Sequence, residues 1–484
     1  MFVVKISQEN YEYDVHALVQ SFYPGEQIVV LTPQTGAEKR AELEQNIRLE
    51  IQFKQDSVVI TTDEKHLVWE LGEQYKAEFK RRFYLFLCDE TGKTLPWGDL
   101  IGIRPTKIAY GLLEEGKSEE EICRHYETEY FVSSRKARLG MEIAKREREL
   151  LKDVHYQDGY SLYIGIPFCP TTCLYCSFTS FPIAAYRKVV DDYISCVIKE
   201  MEFVAENFKD RILDSVYIGG GTPTTLEAEQ LDKLIGKLKK LFDFSTVKEF
   251  TVEAGRADSI TKEKLEVLHK YGVTRISVNP QTMKQETLDI IGRKASVKQV
   301  LEAYALAREV GFDNINMDII LGLPGEEEAD VQRTIDEIVK LSPDSLTVHS
   351  LAIKRASGLG RWMKEHDVKA MHNTDATMEI AAEGARKLGM VPYYLYRQKN
   401  MSGNFENVGY ARPGKLGLYN ILIMEEMQSI IALGAGSISK KVTLQQDEHG
   451  QENFLIERCE NVKDVKLYIE SIEEMIERKR TLFL

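Results

Sequence analysis

Between Ser161 and Ala352 the chain alternates short apolar runs with longer amphipathic ones, six times over. The short runs are Leu162 to Phe168, Ser215 to Gly219, Glu249 to Ala254, Arg275 to Asn279, Asn314 to Leu321 and Ser345 to Leu351. The runs between them keep a helical period. Val189, Val190, Tyr193, Ile194, Val197, Ile198 and Met201 form one stripe; Leu231, Leu234, Ile235, Leu238 and Leu241 form another. Successive strand–helix units bury their apolar faces as a parallel sheet joined by right-handed crossovers. Six units fall short of the eight that close a full barrel. The expected fold is therefore α/β, an open partial (β/α)6 TIM-like barrel with its active site at the C-terminal ends of the strands.

The flanks read differently. Residues 1–155 mix strand-like and helical runs and are expected to form an N-terminal α+β domain. Phe2-Val3-Val4, Val58-Val59-Ile60 and Phe83 to Leu87 are predicted strands, Ser118 to about Leu151 is a charged helical stretch, and Ile103 to Lys107 reads as a turn. The barrel is assigned to residues 156–355 and a C-terminal α+β extension to 356–484. That extension carries a predicted helix from about Asn373 to Leu388, a Tyr- and Gly-rich stretch from Pro392 to Leu418, and a Gly-rich turn from Leu433 to Gly436. A last charged helix is expected to be capped at Asn461.

Composition narrows the function. A net charge of -13 argues against nucleic acid as a partner, since phosphate neutralisation needs clustered Lys and Arg. No apolar run approaches the ~18 residues that span a bilayer, and the first residues lack the pattern of a signal peptide. The expectation is a cytosolic protein without a transmembrane segment. Seven cysteines, an odd number, do not suggest a disulfide framework there. Cys88, Cys123, Cys196 and Cys459 are scattered and read as small buried hydrophobes, Cys88 in an apolar strand-like run and Cys196 in a helical pattern.

The other three are not scattered. Cys169, Cys173 and Cys176 follow the first barrel strand at C-x3-C-x2-C spacing. Thiolates are the soft ligands of iron–sulfur clusters. Structural zinc prefers a fourth Cys or His at short spacing, which this segment does not offer. Three thiolates on a four-iron cubane leave one iron open. That iron can chelate the amino and carboxylate groups of a methionine, and an electron from the cluster can break a sulfonium bond and release a 5′-deoxyadenosyl radical.

Later strand ends carry matching polar groups. Tyr175, just before the third cysteine, offers a ring to stack on adenine. Gly220, Gly221 and Thr222 end the second strand, where glycines allow close backbone approach to a ligand. Glu253 lies on the third strand amid apolar neighbours, Gln281 ends the fourth with Arg293 twelve residues on, and Asp318 interrupts the apolar fifth. A buried carboxylate in such a strand needs hydrogen-bond partners, and a ribose hydroxyl supplies one. Together, at successive strand ends, these residues point to one shared ligand.

These motifs resemble the radical S-adenosylmethionine (radical SAM) superfamily, and within it the oxygen-independent coproporphyrinogen III oxidases (coproporphyrinogen dehydrogenases). The resemblance runs from about Leu162 to the Ile438 region. It implies that Cys169, Cys173 and Cys176 hold a 4Fe–4S cluster. Tyr163, Tyr175, Gly220, Gly221, Thr222, Glu253, Gln281, Arg293, Asp318, Ala352 and Ile438 are then implied to contact one or two molecules of S-adenosyl-L-methionine. The stretch Pro392 to Asn400 and the long N-terminal region are similar to the longer HemZ-type branch.

The implied reaction is oxidative decarboxylation of coproporphyrinogen III to protoporphyrinogen IX in haem biosynthesis, with a flavodoxin or ferredoxin as electron donor. The region 356–484 would then cover the substrate. Arg256, Arg355, Arg397 and Lys399 are the candidate partners for its carboxylates. Two positions depart from the best-known members: Phe178 replaces a fourth cysteine and Gly165 a histidine. The related haem chaperone branch (HemW) also lacks that cysteine. Haem carriage, with His349 a conceivable ligand, and another radical reaction on a tetrapyrrole remain alternative readings.

Overall fold

The computed structural model describes all residues except 103, 355–356, 369–370, 399–400 and 447–451. The candidate partners Arg355 and Lys399 lie outside the described residues, as does Ile103 of the expected turn.

An eleven-stranded sheet organises the chain from residue 159 onward. In chain order its strands are β1 (Gly159–Ile166), β2 (Ile212–Gly220), β3 (Glu249–Glu253), β4 (Arg275–Ser277), β5 (Ile315–Leu321), β6 (Ser345–Ser350), β7 (Val391–Tyr396), β8 (Asn407–Ala411), β9 (Ser429–Leu433), β10 (Ile438–Gln446) and β11 (Glu452–Glu460). The spatial order is β7-β8-β6-β5-β4-β3-β2-β1-β9-β10-β11. The six expected strands are therefore adjacent and parallel, in sequence order. The row does not close on itself, as expected of a partial barrel. A seventh parallel strand, β9, pairs with β1 on its free side, and antiparallel strands extend both edges.

The crossover helices follow from local chemistry. Ser296 caps Val297–Val310 in a reciprocal capping box with Gln299, and Gly311 ends it at φ 112°. Thr261 caps Lys262–Lys270 through its side chain. The stripe on Val190–Asn207 buries Val190, Tyr193, Ile194, Val197 and Met201 against the sheet. The C-terminal helical segment begins at Val465, capped by Asp464 instead of Asn461. Asn461 is buried and bonds Glu200 and the Gly434 carbonyl instead.

The N-terminal region has its own sheet of five strands, in the order Ile28–Leu31, Phe2–Ile6, Ile47–Phe53, Ser57–Thr61 and His66–Glu70. The first three are parallel. Helices Glu12–Phe22 and Tyr75–Thr91 cover it and form a separate core with it. The run Phe83 to Leu87, predicted as a strand, lies inside the second of these helices. The physical reason is spacing: Phe79, Phe83, Phe86 and Leu87 fall on one helical face and are buried, while Leu85 is exposed. The charged stretch from Ser118 is two helices, Glu119–Tyr130 and Ser134–Leu151. Trp97, Ile122, Tyr126, Ala137 and Ile143 pack into the core of the barrel.

Candidate active site

The cysteine loop leaves the C-terminal end of β1. A two-residue parallel pairing of Phe168–Cys169 with Phe181–Pro182 closes it. Its start is bonded to the glycine turn after β2: Gly221 N–H donates to the Ile166 carbonyl at 2.8 Å and Thr222 N–H to that of Phe168 at 2.7 Å. The far side is fixed by Leu174 N–H, which donates to the Ile291 carbonyl, and by the Thr171 hydroxyl, which donates to that of Gly292.

The described cysteines are free thiols. The hydroxyl of Thr222 lies 3.4 Å from the sulfur of Cys169. Burial pushes the Cys169 thiol up to about 11 and that of Cys176 upward as well. Coordination to iron reverses this, because a ligating thiol is deprotonated outright.

One cleft gathers Cys169, Cys173, Tyr175, Cys176, Gly220, Gly221, Thr222, Glu253, Gln281, Arg293, Asp318 and Ala352. Two expected contacts stand apart from it. Tyr163 lies just beneath, its ring beside the stacked pair Tyr217 and Tyr419 and its hydroxyl close behind Gly220. Ile438 does not line the cleft: the chain turns at Gly434 and Gly436, and Ile438 opens β10 with 42% exposure.

The polar groups of the cleft are oriented by one another. Tyr217 donates a hydrogen bond to Glu253. Burial pushes Glu253 up to about 7, opposed by that bond and reinforced by the Asp318 charge. Burial would raise Asp318 too, but the polar neighbours His349, Asn316 and Thr347 hold it below the ordinary carboxylate range. Asn279 also donates to Asp318 at 2.9 Å. Arg293 donates to the carbonyls of Gly255 and Asn279 and to the Tyr175 hydroxyl at 3.3 Å, tying the cysteine loop to the third and fourth strand ends.

Gln281 sits at φ 66°, its backbone bridged to β5, and its buried side-chain oxygen has no partner. A Cβ on Gly221 would lie 2.6 Å from the Phe168 carbonyl oxygen. Three free thiols, an orphaned acceptor and a turn that admits only glycine fit a cluster with a polar ligand beside it.

The substrate candidates fare differently. Arg256 is 4% exposed and its fork is held by Asp258, with contacts to Thr171 and Cys173, so it serves the cysteine loop and is not free to clamp a carboxylate. Arg397 is buried away from the cleft, donating to the carbonyl of Leu100 and to Asn404. His349 lines the cleft, its Nε2 3.7 Å from Asp318. Asn279, Lys354, Tyr396, Gln398 and Asn407 also line it. Asn279 closes the expected fourth strand, and Tyr396 and Gln398 fall in the Pro392 to Asn400 stretch; Lys354 and Asn407 acquire their place from tertiary pairing.

A partial barrel with three thiols at the mouth of its first strand defines a radical SAM protein, and the family model of the Radical SAM superfamily matches residues 163–338. The oxygen-independent coproporphyrinogen-III oxidase-like protein HemZ of Bacillus subtilis is 41% identical over 85% of this chain and 81% of its own length. The heme chaperone HemW of the same organism is 36% identical over 40% of this chain and 51% of its own. Coproporphyrinogen III oxidase (HemN) of Escherichia coli superposes with a TM-score of 0.52 at 22% identity, covering 68% of this chain and 72% of that one. The chain belongs to the radical SAM superfamily, in the branch of the HemZ-type coproporphyrinogen III oxidase-like proteins. Its cofactors are those of the superfamily, a 4Fe–4S cluster and S-adenosyl-L-methionine.

Proposed function

We propose that the chain catalyses oxygen-independent oxidative decarboxylation of coproporphyrinogen III to protoporphyrinogen IX. The observation that carries this reading is the single cleft in which the cysteine loop, the glycine turn, Glu253, Gln281 and Asp318 converge, in a chain 41% identical to a coproporphyrinogen-III oxidase-like protein. Cys169, Cys173 and Cys176 hold the cluster. Gly220, Gly221, Thr222, Glu253, Gln281 and Asp318 bind S-adenosylmethionine, and Arg293 positions Tyr175 over it. The loaded cofactors would supply a 5′-deoxyadenosyl radical for hydrogen abstraction from each propionate chain, after which CO2 leaves and one electron passes to an external acceptor. The residues of the chain bind and orient both molecules and keep water from the reacting carbon. Lys354, lining the cleft, suits a substrate carboxylate. The electron donor is a flavodoxin or ferredoxin, and the protein works in the cytosol.

The test is anaerobic incubation of the reconstituted protein with coproporphyrinogen III, reductant and S-adenosylmethionine. Protoporphyrinogen and 5′-deoxyadenosine are expected together; 5′-deoxyadenosine without protoporphyrinogen overturns the decarboxylase reading. Haem binding and delivery is the second reading, favoured by the similarity to the heme chaperone HemW. It requires stoichiometric haem uptake, read as a change in the Soret band on titration.

A further inference from the structure

The cleft wall opposite the glycine turn is built from Tyr396, Gln398 and Asn407, with Ser350 beside them. Tyr396 and Asn407 are paired across β7 and β8. Asn407 accepts a hydrogen bond from Ser350 N–H at 2.8 Å, and the Ser350 hydroxyl donates to the Glu406 carbonyl at 2.9 Å. The place of Asn407 thus depends on its neighbour Glu406.

Glu406 is held from behind. Its carboxylate is fully buried, and its two oxygens accept from Nζ of Lys136 and from Nε1 of Trp97, the latter at 2.7 Å. Lys136 is 4% exposed at its side chain. Both partners precede the barrel in sequence: Trp97 lies in the turn after helix Tyr75–Thr91, and Lys136 in the first turn of Ser134–Leu151. A second tie runs parallel. Arg397, between the cleft residues Tyr396 and Gln398, donates to the Leu100 carbonyl and stands 6.0 Å from the Trp97 ring. Glu406 and Arg397, behind this wall, are therefore both anchored to Trp97, Leu100 and Lys136.

A fully buried ion pair is a poor device for stability alone, because apolar residues of the same volume serve as well or better. What it supplies is a fixed register, since neither charge tolerates loss of its partner. We propose that Lys136 and Trp97 are positioning residues: acting through Glu406, they fix the Tyr396–Asn407 wall against which the tetrapyrrole is oriented. This rests on the substrate proposed above, and it gives the N-terminal region a role in that site.

The full-length reconstituted protein tests it with two variants. Lys136→Met with Glu406→Gln removes both charges at similar volume and leaves an acceptor for Trp97. Trp97→Phe removes the indole donor together with the outer ring that packs beside Gly140, so its melting temperature is read alongside. Iron content, S-adenosylmethionine affinity by equilibrium dialysis and substrate-free S-adenosylmethionine cleavage should stay within about two-fold of wild type. In the same proteins kcat/KM for coproporphyrinogen III should fall ~10-fold, as expected for a misplaced reactant. Affinity for coproporphyrin III, the fluorescent oxidised analogue, should fall by a similar factor. That binding arm does not depend on turnover, so a wild type that binds but makes no protoporphyrinogen refutes the reaction and leaves the wall tested. Coproporphyrin affinity unchanged in both variants, or absent from the wild type, overturns the inference. So does an equal loss of S-adenosylmethionine affinity in both variants.

Discussion

Nη1 of Arg256 lies 3.7 Å from the sulfur of Cys173, and the same nitrogen donates to the carbonyl of Thr171 at 2.8 Å. The fork of Arg256 is anchored on Asp258, so the guanidinium is presented to the cysteine loop as a fixed donor. Hydrogen bonds and positive charge at cluster sulfurs favour the reduced cluster. Arg256→Met should still take up iron, but its cluster should reduce at a more negative potential than wild type. A redox titration followed by electron paramagnetic resonance checks this.

Cys173→Ala removes one of three thiols from the loop. With two left, no cubane is retained under reducing conditions, and 5′-deoxyadenosine formation should vanish. Thermal unfolding of the apo-protein should change little, because Cys173 is only partly buried and its loop is held by Leu174, Thr171 and the Phe168–Cys169 pairing. Iron analysis and chromatography of the nucleoside product measure both.

Gly221→Ala places a Cβ 2.6 Å from the Phe168 carbonyl oxygen and 2.9 Å from that of Ile166. Both are backbone atoms of the segment leading into Cys169, so relief requires moving the cysteine loop. Overpacking of this kind costs about 1–3 kcal/mol. A lowered melting temperature together with weaker S-adenosylmethionine binding is the expected pair of results.

Burial lifts the Glu253 carboxyl from its ordinary 4.5 to about 7. A carboxyl raised in the folded chain binds its proton more tightly there than when unfolded. Its contribution to stability is therefore present below about pH 4.5 and lost as pH rises through about 7. In the site proposed above the ionised form would face the S-adenosylmethionine cation, so its affinity should increase from pH 6 to pH 8. Glu253→Gln should flatten that profile. Equilibrium dialysis across the range decides it.

Phe178 is 72% exposed, with the Lys354 ammonium 5.7 Å from its ring. An exposed ring on the cleft rim carries little packing, so Phe178→Ala should shift stability by no more than ~0.5 kcal/mol. Phe178→Cys should leave the iron content per chain unchanged, because the loop already presents its three thiols. A gain of iron in that variant would mean that a fourth thiol enters the site.

Much of the site was legible because its chemistry is local in sequence. Three thiols within eight residues, a glycine turn at a strand end and lone carboxylates in apolar strands are signals that need no partner to be recognised. Phe83 to Leu87 misled because five consecutive apolar residues satisfy a short strand and a buried helix face alike; Phe79, one turn upstream, decides for the helix only once the core exists. Ile438 enters the expected ligand set only through the family resemblance, and its place depends on how sharply the chain turns at Gly434 and Gly436.

By itself the sequence determined the six-strand parallel row, the cysteine loop and the polar strand ends, since alternation and spacing are properties of contiguous residues. Tertiary structure alone decided the seventh parallel strand, the Tyr396–Asn407 wall and the Lys136–Glu406 pair. Those join residues up to 270 positions apart, and their pairing is set by which apolar faces find each other on folding, which no local pattern records.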